Sequence, residues 1–504
     1  VRQLPCHEIA DEIEHNLSFL ATSQKNVPAR HRSLEAAFEH SWALLAADER
    51  RAFARLAVFR GGCEREAAVA VGQCAPAVLA ALGDKSLVRR APNGRLAIHE
   101  LLRQYAEGKL QADPPAWATA QEQHAAYYLG RVAALEEAQN DARQVEARQT
   151  LTAEANNWRA AWAWAVAQRR LELLQPALES LRIFLDRVGW YTEGGRLFEA
   201  AAETEQAVNG EAGQLYGQLI ARLAWFYHRL DRFEAAHPLL EHSLAIFSAA
   251  WPPLPAEAGL ALHCLSNLAR ARGDFAQAVA HGQASVAQQR AASSPRALAA
   301  ALNGLGAAYT ELDDLTAAQQ AHAESLALKR AVGDRSGAAV SLVNLGTVAL
   351  AQGRYADTKP LEAEALTIFR ETSYPMGEAV ALNNLGTAHY MLGEYAEAEP
   401  LLHACLTLCR ELGHRYIAAY ALANLGAVAG GATTRVPGST GATRYRPRPR
   451  SSRYRRRCWR WWARPGCWPG RARRSGRRRW PRWWGSTRRP TTKPRAGRPS
   501  CSPS

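Results

Sequence analysis

Asn344, Asn384 and Asn424 stand forty residues apart, each immediately before a Leu-Gly pair. A carboxamide presents a donor and an acceptor at one point, so a row of them on one helix face can pair with the main chain of an extended peptide. The same row can instead hydrogen-bond one repeat to the next; Cys264 and Gly304 interrupt it, and the sequence leaves both readings open. Chemistry of other kinds has less to work with. No carboxylate pair, nucleophile-and-base set or metal-spaced His/Cys cluster stands out. Nor is there a Gly-x-x-x-x-Gly-Lys-Ser/Thr loop or an apolar strand ending in paired acids that would hold a nucleotide and its magnesium. The chain is therefore expected to be no enzyme by itself and to hold no cofactor or metal of its own. Its nine cysteines form no Cys-x-x-Cys pair. Cys405 and Cys409 share a helix face and read as small apolar core residues, in keeping with a reducing cytoplasm.

The asparagines must be positioned by a repeating element. Leu262, Leu302, Leu342, Leu382 and Leu422 lie at intervals of forty residues, and four places after each stands a small residue, Ser266, Gly306, Gly346, Gly386 or Gly426. Small residues at a fixed helix position imply close approach of a second helix. Thirteen places after the leucine comes Phe275, Leu315, Tyr355 or Tyr395, and a further column runs Val286, Leu326, Leu366, Leu406. Gly333-Asp334, Tyr374-Pro375 and Gly413-His414 break the pattern between units. Each unit reads as helix, tight turn, helix, loop. With alanines at 278, 318 and 398, these residues resemble the tetratricopeptide repeat, in the stretched form of kinesin light chains and bacterial regulators. Looser units begin at Ile220, with Tyr227 and Phe233, and near Leu178, with Tyr191. The resemblance implies a protein or peptide, or a small inducer, bound on an α-α superhelix whose concave side the first helices line.

Residues 29–112 follow another pattern. Ser33 is placed to cap a helix carrying Leu34, Ala37, Phe38, Trp42 and Leu45, and Asp48 a second with Phe53, Leu56 and Phe59, ended by Gly61-Gly62. Short helices over Ala67–Val71 and Val78–Leu82 follow. Two strands, Ser86–Arg89 and Arg95–Ile98, then flank Pro92-Asn93-Gly94, a turn signal for a small β-hairpin. Helices followed by a two-stranded wing predict a winged-helix domain. Its would-be recognition helix, Ala75–Leu82, has no Arg, Lys, Asn or Gln to reach a base edge, so it is not expected to read DNA. Arg30–Leu34, Leu56–Gly62, Asp84–Val88 and the Ile98-His99-Glu100 triplet resemble the regulatory part of STAND-type signal-transduction NTPases, the class of NB-ARC proteins and maltose-activator-like regulators. The triplet stands where that class has Met-His-Asp, with Ile for Met and Glu for Asp. The resemblance implies that His99 touches the β-phosphate of ADP, at a strand-to-helix junction where backbone N–H groups favour an anion. A His that only caps its helix is the competing reading. In this class the NTPase module precedes the winged helix, so residues 1–28 are read as its end, and ADP or ATP enters only with that missing module.

From Asp113-Pro114-Pro115, residues 113–177 are expected to form a helical adaptor, residues 178–261 irregular repeats and residues 262–430 regular ones. The chain's formal charge of +15 is misleading. Residues 431–504 carry 22 Arg, one Lys and no acid, so the other residues balance 39 basic against 47 acidic side chains. That Arg/Trp/Pro-rich tail has no helix or strand period, and is expected to be disordered. Its composition is what a Leu/Ala/Glu helix becomes when a GC-rich gene is read one base out of frame; the alternative is a genuine nucleic-acid-binding arm. No apolar run approaches a membrane span and no signal sequence leads the chain. The whole predicts a mainly α protein: a winged-helix latch joined to a tetratricopeptide sensor of a STAND-type regulator, with a transcriptional output. The alternatives are a freestanding scaffold for partner peptides, or nucleic-acid binding through the tail.

Overall fold

The computed structural model describes residues 34–91 and 94–433. Ser33, the turn residues Pro92 and Asn93, the leading segment 1–28 and all of the basic tail beyond Thr433 lie outside the described residues.

The amino-terminal part contains α1 (Leu34–Ala43), α2 (Ala47–Leu56), α3 (Arg65–Ala70), α4 (Pro76–Asp84), the strands β1 (Arg89–Arg90) and β2 (Leu96–Ala97), and α5 (Glu100–Gln111). The strands are shorter than the sequence predicts. They pair antiparallel with Arg89 opposite Ala97 and Arg90 opposite Leu96, and Cys63 adds an isolated bridge to Leu96. Two further expectations need correction. Ala46 is the cap residue of α2, and the Glu49 carboxylate, not Asp48, reaches back to accept from the Ala46 N–H at 2.7 Å. Gly61-Gly62 does not end α2, which stops at Leu56. Gly62 is left-handed, and a Cβ there would lie 2.4 Å from the Leu96 carbonyl oxygen. The glycine thus lets the chain pass against β2.

The Asp113 carboxylate accepts from the Ala116 N–H at 3.2 Å. With Pro114 at the first helical position, the Asp-Pro-Pro run starts a helix. The adaptor is α6 (Pro114–Ala134), α7 (Gln144–Ala153) and α8 (Ala155–Ala167), followed by two single 3₁₀ turns. Tyr128, Trp158 and Trp162 are fully buried in its core. Asn157 Nδ2 donates to the Gly62 carbonyl at 2.9 Å and Glu154 pairs with Arg95, which fixes the strand pair to α8.

Helix pairs then follow in order: α9 (Leu178–Val188) and α10 (Tyr191–Asn209), α11 (Gln214–Arg229) and α12 (Phe233–Ala249), α13 (Pro255–Arg272) and α14 (Phe275–Ala291), α15 (Pro295–Glu311) and α16 (Leu315–Ala331), α17 (Arg335–Ala351) and α18 (Tyr355–Glu371), α19 (Pro375–Leu392) and α20 (Tyr395–Glu411), and last α21 (Arg415–Thr433). The column Phe275, Leu315, Tyr355, Tyr395 occupies the first residue of each second helix. The turn before it needs a left-handed residue. Gly273, Gly353 and Gly393 supply it in three units and Asp313, also at positive φ, in the fourth. The small column meets a complementary one on the second helix. A Cβ at Gly306, Gly346 or Gly386 would come within 2.7, 2.4 and 2.8 Å of the side chains of His322, Glu362 and Leu402. In the first unit the sizes are reversed, with Ser266 facing Gly282. Close approach is kept across the pair, not residue type, and at Gly282 Leu305 of the next unit comes closer still. First helices pack on the next first helices (α13 on α15, α17 on α19, α19 on α21), whereas second helices pack on the first helix of the following unit. First helices therefore line the inner side of the curve.

Candidate protein-binding surface

Along the inner side runs a polar seam, charged at one end and amidic at the other. On α9 and α11 the Arg182 guanidinium lies over the Trp225 ring, 4.4 Å from its centroid, where the ring quadrupole attracts a cation. Trp225 in turn stacks on His263 of α13, with centroids 6.0 Å apart and planes at 21°. Arg222 pairs with Glu257 at 2.8 Å and Glu179 at 3.3 Å. Burial works against the Glu179 charge, but Arg182 and Arg222 outweigh it and hold the carboxyl at about 2. Burial, then Arg182 and Arg270, push the His263 ring down to about 4, so it is neutral near pH 7. Asn267 Nδ2 donates to its Nε2 at 3.1 Å.

Farther along, the three predicted asparagines do share one row. Asn344 Nδ2 donates to Asn303 Oδ1 at 2.8 Å. Asn384 Nδ2 donates to Thr347 Oγ1 at 3.2 Å and to Glu362 Oε1 at 2.9 Å. Asn424 Nδ2 donates to Asn383 Oδ1 at 3.2 Å and to Thr387 Oγ1 at 2.9 Å. Every Nδ2 thus reaches back to the preceding repeat, the repeat-fixing arrangement. Glu362 is 0% exposed, with its Oε2 lacking any partner, and burial pushes its carboxyl well above the usual carboxylate range, against the Asn384 hydrogen bond.

Sequence reasoning missed Arg182, Arg222, Trp225, Asn303 and Asn383. A register argument could have found two of them. Arg222 and Trp225 lie two and five places after Ile220, the offsets that Asn344 and Thr347 have from Leu342. Tyr374, just before α19, is pushed up by burial and lies within electrostatic reach of Arg229, Asp186 and Arg187, although those belong to α9 and α11.

His99 is far from this seam in the chain. It is exposed, and as the cap of α5 its Nδ1 accepts from the Leu101 N–H at 3.3 Å. An accepting Nδ1 leaves the ring proton on Nε2. His99 borders a cavity of about 430 Å³ together with Gly61, Gly62, Arg89, Glu100 and Arg103. Arg103 is already paired with Glu100 and Glu107 at 2.7 and 2.6 Å. Cys405 and Cys409 are buried, with sulfurs 3.9 Å apart and both thiols pushed up by burial, which suits packing and not nucleophilic chemistry. Among the described residues no group of three or more His, Cys, Asp and Glu could hold a metal ion, and no helix is long and apolar enough to cross a membrane.

Two family models, both described as tetratricopeptide repeat, match residues 297–371 and 379–412. Among solved structures, the chain is similar to a signal transduction ATPase with numerous domains (STAND) protein with a tetratricopeptide repeat sensor from Pyrococcus horikoshii, at 15% identity over 85% of this chain and 67% of that one, with a TM-score of 0.46. It is also similar to aspartyl phosphate phosphatase F from Bacillus subtilis, at 14% identity over 62% of this chain and 82% of that one, with a TM-score of 0.40. A Rap protein complexed with competence and sporulation factor gives 14% identity, 62% and 100% coverage, and a TM-score of 0.40. No curated protein matches the chain.

Proposed function

We propose that this chain is the protein-binding sensor of a STAND-type regulator, with residues 178–430 taking an extended peptide along the inner seam. The observation that carries the reading is the seam itself: a repeat-built wall on which the half-buried Trp225 stands between Arg182 and His263 and the asparagines keep an acceptor. Within the chain their Nδ2 atoms are engaged, but among the described residues no hydrogen bond reaches the Oδ1 atoms of Asn344, Asn384 and Asn424. Those oxygens can accept from the N–H groups of an extended backbone.

The amino-terminal part then acts as a winged-helix latch. His99 Nδ1 caps α5, and among the described residues no hydrogen bond reaches Nε2, so one ring can hold the helix and donate from Nε2 to a phosphate oxygen. ADP or ATP would come with an NTPase module supplied ahead of residue 29. Peptide binding on the seam would favour the unlatched state by its differential affinity, and the output would be transcriptional control in the cytoplasm.

The test is a selection of linear peptides on the folded chain, followed by titration of an enriched peptide against Trp225→Ala. A loss of tenfold or more in affinity, with helicity by circular dichroism unchanged, is expected. Peptides that bind the variant as well as the parent would remove the seam from the reading.

A further inference from the structure

Among the described residues, the last helix of the array is left uncovered on one face. Leu262, Leu302, Leu342 and Leu382 are 8, 3, 1 and 2% exposed, whereas Leu422, in the same column, is 52% exposed. The glycine column shows the same gap. Gly306, Gly346 and Gly386 are each pressed by a side chain of the second helix of their own unit, while a Cβ at Gly426 would meet nothing within 4 Å. Among the described residues α21 is thus a first helix with no second helix of its own unit packed on it, at the point where the composition turns from Ala and Leu to Arg, Trp and Pro.

We infer that the gene encodes the covering helix in a displaced frame, in which each codon joins the third base of one residue's codon to the first two bases of the next. The genetic code makes this checkable on the protein sequence, because those two bases are known. Thr434 becomes Tyr, His, Asn or Asp, which admits a ring at the head of the helix. Three residues on, Pro437 becomes Ala, Pro, Ser or Thr, where the regular units have Ala278, Ala318, Thr358 and Ala398. Ten residues on, Arg444, if encoded CGN, becomes Ala, Pro, Ser or Thr, matching Ser285, Ser325, Ala365 and Cys405. Eleven residues on, Tyr445 becomes Leu, Ile or Val, matching Val286, Leu326, Leu366 and Leu406. The aliphatic column therefore holds whatever the third base is, and the small columns hold for three of the four third bases when Arg444 is encoded CGN. Beyond them every Trp becomes Leu, Met or Val. With G as the third base of Gly431 and Ala432 and T as that of Thr433, the run before the helix reads Gly-Asp-Tyr, the form of Gly273-Asp274-Phe275 and Gly393-Glu394-Tyr395. Thr434 follows Leu422 by twelve places and not thirteen, an offset that a loss of four bases, in place of one, restores.

The helix so encoded is the second helix of the unit beginning at Leu422, and it would cover Leu422 and Gly426. The experiment reads the source DNA across codons 424–446 and identifies the carboxy-terminal peptides of the natural protein by mass spectrometry. Expected are displaced-frame peptides of the Gly-Asp-Tyr-Ala type. Hydrogen exchange of the Ala421–Val428 amides should also be at least tenfold slower in the displaced-frame chain than in the 504-residue chain. Gly426→Ala should lower the midpoint of unfolding in the former and not in the latter. Arg/Trp-rich peptides from the natural protein, a stop triplet in the displaced frame before codon 446, or equal exchange in the two chains would overturn the inference.

Discussion

Glu362 and Asn384 set the chemistry of the array's interior. A fully buried carboxyl with one donor near it is neutral in the folded chain. Below the ordinary pKa of about 4.3 it is neutral in both folded and unfolded states. Above that value only the unfolded chain releases the proton, so stability falls by about 1.4 kcal/mol per pH unit until the raised folded pKa is reached. Glu362→Gln keeps the acceptor for Asn384 and removes this dependence. The variant is expected to unfold at a higher temperature than the parent at pH 7, and the difference should vanish near pH 4. A difference independent of pH would show that the carboxyl is ionised in the folded protein. Asn384 also shows how much of the site was legible in the sequence. The row Asn344, Asn384, Asn424 follows from spacing alone. Its partners Asn303 and Asn383 sit one position earlier on the preceding helix, an offset set by the rotation between units, which no single-repeat pattern contains.

Between helices the controlling quantity is the closeness of approach at the small column. Gly386 faces Leu402, which is 0% exposed and has no room to turn aside. Gly386→Ala gains about 1 kcal/mol of helix propensity but overpacks a filled contact, at a cost of about 1–3 kcal/mol. A lower midpoint in urea is expected, and an unchanged or higher one would mean that the helix pair is looser than described. The small column was readable because four glycines and a serine repeat at one spacing. Its complement, Gly282, His322, Glu362 and Leu402, was not, because the members share a fit and no chemistry. In the amino-terminal part the helices were legible and their edges less so. Two acids, Asp48 and Glu49, compete to start α2, and the winner is the one whose longer side chain reaches back to Ala46. The predicted strands contract to two residues each, with β2 paired to β1 on one side and bridged to Cys63 on the other.

At the scale of the whole chain, the repeats bring residues from separate units onto one inner wall and leave the second helices to face outward. Arg290 with Glu324 and Arg330 with Glu364 are exposed ion pairs between successive second helices, of the kind worth little to stability or binding. The most direct measurement is a hydrogen-exchange footprint of a selected linear peptide on the folded chain. Protection is expected on the first helices α11, α13, α15, α17, α19 and α21, centred on Trp225, His263, Asn344, Asn384 and Asn424, with α14, α16 and α18 unchanged. Protection confined to those second helices, or to the region around His99, would contradict a ligand held along the inner seam.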